Sequence, residues 1–262
     1  AKKWVGLAWV ASAALFAFVF ATGLCFIARQ IPWSWELKMA GMIGSPKGEV
    51  CTLKSPQAQA AFQKITKRLF PLLENDSVTP VTFKFLKKED VNAFASLGGE
   101  IYIFTGLIKE SKTPEELAAV MAHEIGHLRE RHIMQGLVGK VVPSLLLSQI
   151  GMGSGSPKIL LGLMNLKFSR LQEEDADSEA LLRLQKAKID VKGYVNFFKR
   201  LAEEHSSIEL LSDHPDSGDR AKKAETYAVK DPEPVLTEIE WNSFKEVAGG
   251  SKEINCSESI SN

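Results

Sequence analysis

The sequence has few cysteines, few histidines and no excess of either charge. Its three cysteines, none in a C-x-x-C pair, are too few for a disulfide-stapled scaffold or a four-thiolate zinc site, so any metal must be held by His and carboxylates. Thirty-two Lys+Arg balance 32 Asp+Glu, which excludes a basic nucleic-acid binder and an acidic disordered chain. No internal repeat of roughly 20 to 50 residues is present, which excludes a solenoid. What remains, 262 residues with 45% hydrophobic and 24% charged, is a globular composition with enough chain for a sizeable core.

Charge is missing altogether from Trp4 to Ala28. As a helix these residues would run roughly 37 Å, more than the ~30 Å of a hydrocarbon core. Trp4 and Trp9 at one end, and Trp33 and Trp35 beyond the other, stand where interfacial belts do. The run is too long for a signal-peptide core, and no A-x-A site follows it. The expectation is a retained membrane anchor over residues 1–30, in contact with lipid, ahead of a catalytic domain over residues 31–262. Lys2 and Lys3 precede the run while Arg29 and Lys38 follow it, a slight bias toward an extracytoplasmic body.

Beyond the anchor, Ser55-Pro56 opens an amphipathic helix with Ala58, Ala61, Phe62, Ile65, Leu69 and Leu73 at helical spacing. Alternation at Val81, Phe83 and Phe85, and two short β-rich runs at Val91 to Phe94 and Glu100 to Phe104 separated by Gly98-Gly99, predict a small antiparallel sheet. Thr113-Pro114-Glu115-Glu116 then supplies a cap, an N1 proline and a capping-box Glu for a helix running to about Met134. Residues 136–166 form a second apolar region, read as a helical hairpin because Lys140, Pro143 and the Gly151 to Pro157 run interrupt it. Charged helices from Lys167 to Lys188 and from Gly193 to about Leu211 follow, and 231–262 is a C-terminal tail packing on the domain. The fold class expected is α+β, mainly helical.

Inside the capped helix lies His123-Glu124-Ile125-Gly126-His127, an HExxH motif. Histidines at i and i+4 project from one face and reach one ion, while the Glu one residue on points toward the remaining coordination position. Catalytic zinc takes three protein ligands and keeps one position open, so a third ligand is required. His132 is a poor candidate, because on a continuous helix it lies about 140° around the axis from His127. Glu173 and Asp177 are better placed: they share a face at i and i+4, so one carboxylate can bind metal while its neighbour orients an imidazole.

HExxH on one helix, E-x-x-x-D with Ala before the Asp, and His214-Pro215 followed by Arg220 together resemble the membrane-associated gluzincin metallopeptidases, the HtpX, CAAX prenyl protease and BepA-like family. Asn92-Ala93-Phe94 and the Gly98-Gly99 hairpin resemble that family's strand and turn, and the single N-terminal span is similar to its singly anchored members. Leu97 departs from the Pro common there. The resemblance implies a zincin-like fold with one Zn2+ per chain on His123, His127 and Glu173. It also implies Glu124 as general base, Asp177 behind the ligands, and His214 or Arg220 as donor to the oxyanion. In some relatives the corresponding His restrains activity instead.

A strand over Asn92, Ala93 and Phe94 would offer backbone groups to an extended polypeptide substrate. The function expected is a membrane-anchored zinc endopeptidase for misfolded or unassembled envelope or membrane proteins, in the bacterial inner membrane with its catalytic domain in the periplasm. The alternative is a latent protease acting as a chaperone or assembly factor. Cys51 and Cys256 lie just outside the two ends of the catalytic domain, and because domain termini are often close, they are expected to pair.

Overall fold

The computed structural model describes residues 12, 22–44, 48–73, 76–139, 167–203, 210, 214, 217–227, 229–250 and 254–258. A five-stranded sheet is built from β1 (Glu49–Leu53), β2 (Thr82–Leu86), β3 (Ala93–Ser96), β4 (Glu100–Phe104) and β5 (Ile254–Glu258), in the order β3-β4-β2-β1-β5. The Phe83/Phe85 alternation is β2. β3 and β4 form the expected antiparallel hairpin, with Ala93 opposite Ile103 and Ser96 opposite Glu100. Its turn needs glycine: Gly98 and Gly99 sit at φ 79° and 80°, and a Cβ on Gly99 would lie 2.1 Å from the Pro80 carbonyl oxygen.

The sheet is mixed rather than antiparallel throughout, because β2 and β4 pair in parallel. The chain leaving β2 runs back along β3, and the hairpin returns β4 in the direction of β2 and directly beside it. Ile101 to Phe104 are therefore buried in the sheet interior, while β3 is an edge. At the opposite side β1 pairs with both β2 and β5. Cys51 stands opposite Cys256 there, and the two form the expected disulfide across a Cα separation of 4.0 Å.

The helices are α1 (Trp33–Ile43), α2 (Pro56–Leu69), α3 (Thr105–Glu110), α4 (Pro114–Arg129), α5 (Arg170–Lys186), α6 (Lys192–Glu203), α7 (Ser217–Ala224) and α8 (Glu238–Gly250). Ser55 caps α2 by accepting from the Ala58 amide, and Ala58, Ala61, Ile65 and Leu69 are its buried stripe. α8 lies over α2 and α3, with Phe244 stacked on Phe62. α4 is the central helix, buried from Leu117 to Leu128, and packs against α5, α6 and β3. A helix can be buried on all sides only when its side chains are mostly apolar or small, as Ala118, Ala119 and Ala122 are here. Thr113 accepts from the Glu116 amide as predicted, whereas the Glu116 carboxylate receives the Lys112 amide and Arg200 instead of the cap residue's own amide.

Two further expectations are corrected. The HExxH helix stops at Arg129, Arg131 takes a left-handed φ of 61°, and a new helix covers 132–139. The single-pass inner-membrane location with a periplasmic domain is overturned, because among the described residues no helix is long and apolar enough to cross a membrane. Residues 22–30 are helical, and the rest of the uncharged run, like residues 140–166 of the apolar region, lies outside the described residues except for residue 12.

Candidate metal centre

Four elements meet at one point. His123, Glu124 and His127 project from α4, Glu173 and Asp177 from α5, Arg220 from α7, and His214 lies between α6 and α7. All seven are buried. α5 is started by a complete capping box, in which Ser169 and Gln172 exchange bonds, so its first turn is fixed with Glu173 facing α4.

His123 Nε2 lies 3.0 Å from His127 Nε2, 3.2 Å from His214 Nδ1 and 3.3 Å from Glu173 Oε2. Glu173 Oε1 is 3.0 Å from His214 Nδ1 and 3.6 Å from His127 Nε2. Four donors bound tetrahedrally at about 2.0–2.2 Å would be about 3.3–3.6 Å apart. The observed spacings of 3.0 to 3.6 Å reach from just below that range to its upper end, and the imidazole and carboxylate donors suit a divalent metal ion, for which zinc is typical.

Behind the donors the acidic residues are braced. Asp177 accepts from Tyr194 Oη and from Arg220 Nε and Nη2 at 2.7 Å, and lies 3.0 Å from His123 Nδ1. Arg220 Nη1 is 2.9 Å from Glu173 Oε2. A carboxylate on the outer nitrogen of His123 leaves Nε2 facing the cluster. Burial favours the neutral acids, but at Glu173 the neighbouring His214 and His123, and at Asp177 His123 and Arg220, outweigh it and hold both carboxyls well below the usual range. Burial and Arg220 oppose a proton on His123, yet Asp177 and Glu173 hold this imidazole up at about 9. Glu124 behaves oppositely: burial pushes its carboxyl up against the lowering influence of His214 and His123.

Glu124 also ties the cluster to the sheet. Its Oε2 accepts the Ala95 amide of β3 at 2.8 Å, while Oε1 is buried with no hydrogen-bond donor among the described residues and lies 3.5 Å from His214 Nε2. Phe104 donates to the Asn92 carbonyl, so in the antiparallel ladder Phe94 faces β4, while the backbone groups of Ala93 and Ala95 point off the edge. β3 packs beside α4 with Ala93 and Ala95 in the shared core, whereas Phe94 packs with Tyr102 and Phe104 in a separate cluster; the Ala93 backbone faces away from β4, but Ala93 and Asn92 are buried.

Three residues of this region were not anticipated. Tyr194, on α6, gives no sequence signal beyond an aromatic in an amphipathic helix. Phe168 stacks on His127 with ring centroids 3.9 Å apart. His132, set aside because of its angle on a straight helix, is buried with its Nδ1 3.0 Å from His127 Nδ1, since the break at Arg131 turns it back. Burial and the charge of Arg29 press its imidazole down to about 3.

Residues 56–228 match the family described as Peptidase family M48. The chain is 32% identical over 185 residues to the Metalloprotease LoiP of Escherichia coli (strain K12), an alignment covering 64% of this chain and 71% of that protein. It is 28% identical over 161 residues to the Beta-barrel assembly-enhancing protease of the same organism, covering 54% and 33%. It is also 32% identical over 137 residues to the Mitochondrial metalloendopeptidase OMA1 of Arabidopsis thaliana, covering 50% and 28%. The chain spans about a third of the length of the beta-barrel assembly-enhancing proteases that it matches.

Proposed function

The chain belongs to peptidase family M48, and from that premise we propose that it is a zinc-dependent endopeptidase acting on extended segments of misfolded or unassembled envelope or membrane proteins. The observation that carries this reading is the convergence of His123, His127 and Glu173 beside a buried Glu124 whose second oxygen is pinned to an edge strand. In this reading those three residues hold one zinc ion, Glu124 is the general base, and Asp177, Tyr194 and Arg220 brace the ligands. The substrate class rests on the relatives named beta-barrel assembly-enhancing protease.

Bound zinc would acidify a water and polarise the scissile carbonyl. Everything else falls to the chain. The main-chain groups of Ala93, which face away from β4 and are buried here, would pair with the substrate main chain once uncovered, which lets side chains vary. Ala95 fixes Glu124 through Oε2, leaving Oε1 to take the proton of the attacking water and return it to the leaving amine.

A second reading, a latent protease that holds clients without cutting them, is favoured by one observation. His214 Nδ1 stands within 3.2 Å of His123 and Glu173 donor atoms, at the corner that water would occupy in a catalytic site. In our reading His214 restrains the site and swings out for substrate. The test is metal analysis of the chain together with casein cleavage, with and without chelator, in wild type and Glu124→Gln. Zinc near one equivalent in both and cleavage in wild type alone is expected. Cleavage surviving in Glu124→Gln would refute the general-base role, and client binding without cleavage in wild type would favour the latent reading.

A further inference from the structure

Resting on the ligand set just proposed, we infer that His132 is a positioning residue that sets the tautomer of His127 from a charged surface cluster. The argument starts from a proton count. His127 and His132 meet Nδ1 to Nδ1 at 3.0 Å, a contact that is a hydrogen bond only if one nitrogen carries a proton and the other does not. His127 Nε2 faces His123 and Glu173, so as a ligand it must be bare, and its proton sits on Nδ1. His132 Nδ1 is then the acceptor. A neutral His132 carries its own proton on Nε2, on the far side of the ring.

That far side has the right surroundings. His132 Nε2 is buried, has no hydrogen-bond partner among the described residues, and points toward Asp175 Oδ2 at 3.9 Å. Asp175 is half-exposed on α5, so a small rotation of its side chain brings the carboxylate to hydrogen-bond distance. Glu130 completes the cluster, and Arg29 Nη2 bridges the two acids at 3.4 Å from Glu130 and 3.6 Å from Asp175. The Arg29 guanidinium offsets one of the two negative charges there, and two protonated Nδ1 atoms would set their N–H groups against each other at the 3.0 Å contact. One histidine backed by a carboxylate thus acts on His127 as Asp177 acts on His123.

The same three side chains, Glu130, His132 and Asp175, are spaced closely enough to suggest a second cation site. The proton count argues against it: with His127 metal-bound, His132 Nε2 carries hydrogen and cannot be a ligand. The chain should bind one zinc, not two.

The test is zinc affinity, measured on the full chain by competition with a chromogenic chelator. His132→Phe keeps a ring but offers no acceptor, and should weaken zinc about 10–100-fold. His132→Gln, whose amide both accepts and donates, should recover most of that loss, which a purely space-filling role would not predict. Substituting Co2+ for Zn2+ should give an altered visible spectrum in His132→Phe and a near-native one in His132→Gln. In the unmutated protein, ring-nitrogen NMR should place the proton of His127 on Nδ1 and that of His132 on Nε2. Unchanged affinity in His132→Phe, a reversed tautomer on His132, or a second tight zinc would each overturn the inference. Failure of the underlying ligand set looks different: His127→Ala and Glu173→Gln would then bind zinc like wild type.

Discussion

Gly126, between Glu124 and His127, is where the two helices that carry the proposed metal ligands touch. A Cβ at this position would lie 2.6 Å from the Ala176 carbonyl oxygen and 3.0 Å from the Ala176 Cα. Both partners are backbone, so no side chain can rotate aside in Gly126→Ala, and restoring ordinary contact requires α4 and α5 to separate by roughly 0.5–0.8 Å. Metal–ligand distances tolerate about 0.2 Å. His123 and His127 move with α4 while Glu173 moves with α5, so the substitution should weaken zinc at least about tenfold. Stability of the metal-free chain should fall by no more than about 3 kcal/mol, because overpacking costs about 1–3 kcal/mol while replacing a helical glycine returns up to about 1 kcal/mol. The assay pairs chelator competition with urea unfolding in the absence of zinc. Gly41→Ala is the control, since a Cβ there meets nothing within 4 Å among the described residues. Wild-type zinc affinity in Gly126→Ala would refute the claim that helix spacing fixes the donor set.

Replacing His214 with Ala should raise basal casein cleavage several-fold with zinc content unchanged, and a loss of cleavage would make it a donor to the oxyanion instead. Asp76 is buried between Arg183 and Arg129. Burial pushes its carboxyl up, but the two guanidiniums and the Leu72 and Leu73 amides outweigh it and hold it well below the ordinary value. Its stabilisation is therefore fully present above about pH 5 and is lost as the pH falls below about 4. Asp76→Asn should cost about 3–5 kcal/mol near pH 7, less whatever Glu179 offsets at Arg183, and should flatten the fall in urea midpoint between pH 5 and 3. Reduction of Cys51–Cys256 opens a loop of 205 residues and should lower stability by up to about 5 kcal/mol, read as the shift in urea midpoint with and without reductant.

What could be read from the sequence was whatever the chemistry confines to one helix. His123 and His127 are held on one face by the 3.6-residue period alone, and Thr113-Pro114 marks where that helix begins, so neither depends on a partner. Glu173 and Asp177 were legible for the same reason, as an i, i+4 pair. β1 and β5 were not, because Glu49–Leu53 and Ile254–Glu258 are strands only through each other and through β2, across some 200 residues of chain. Likewise β2 against β4 looked antiparallel until the hairpin placed β4, rather than β3, beside it.

His132 is the instructive failure, because the angular argument that dismissed it was sound for a continuous helix. Arg131 breaks the continuity. Its left-handed backbone is disfavoured for any residue with a Cβ, and nothing in its side chain announces it. What supports the turn lies elsewhere: Arg131 pairs with the buried Glu36 of α1, donates to the Ile31 carbonyl and packs over Trp33. Glu36 in turn accepts the Gly98 amide, in the hairpin that carries the β3 edge. One buried ion pair therefore connects the end of the ligand helix, the orientation of His132 and the strand proposed to bind substrate. A substitution such as Glu36→Gln, more than ninety positions from His132 in sequence, should disturb metal affinity and substrate affinity together, whereas changes confined to α4 or to β3 should disturb them separately. Equal zinc affinity and equal KM for a peptide substrate in Glu36→Gln and wild type would mean that the turn at Arg131 is held by local backbone alone.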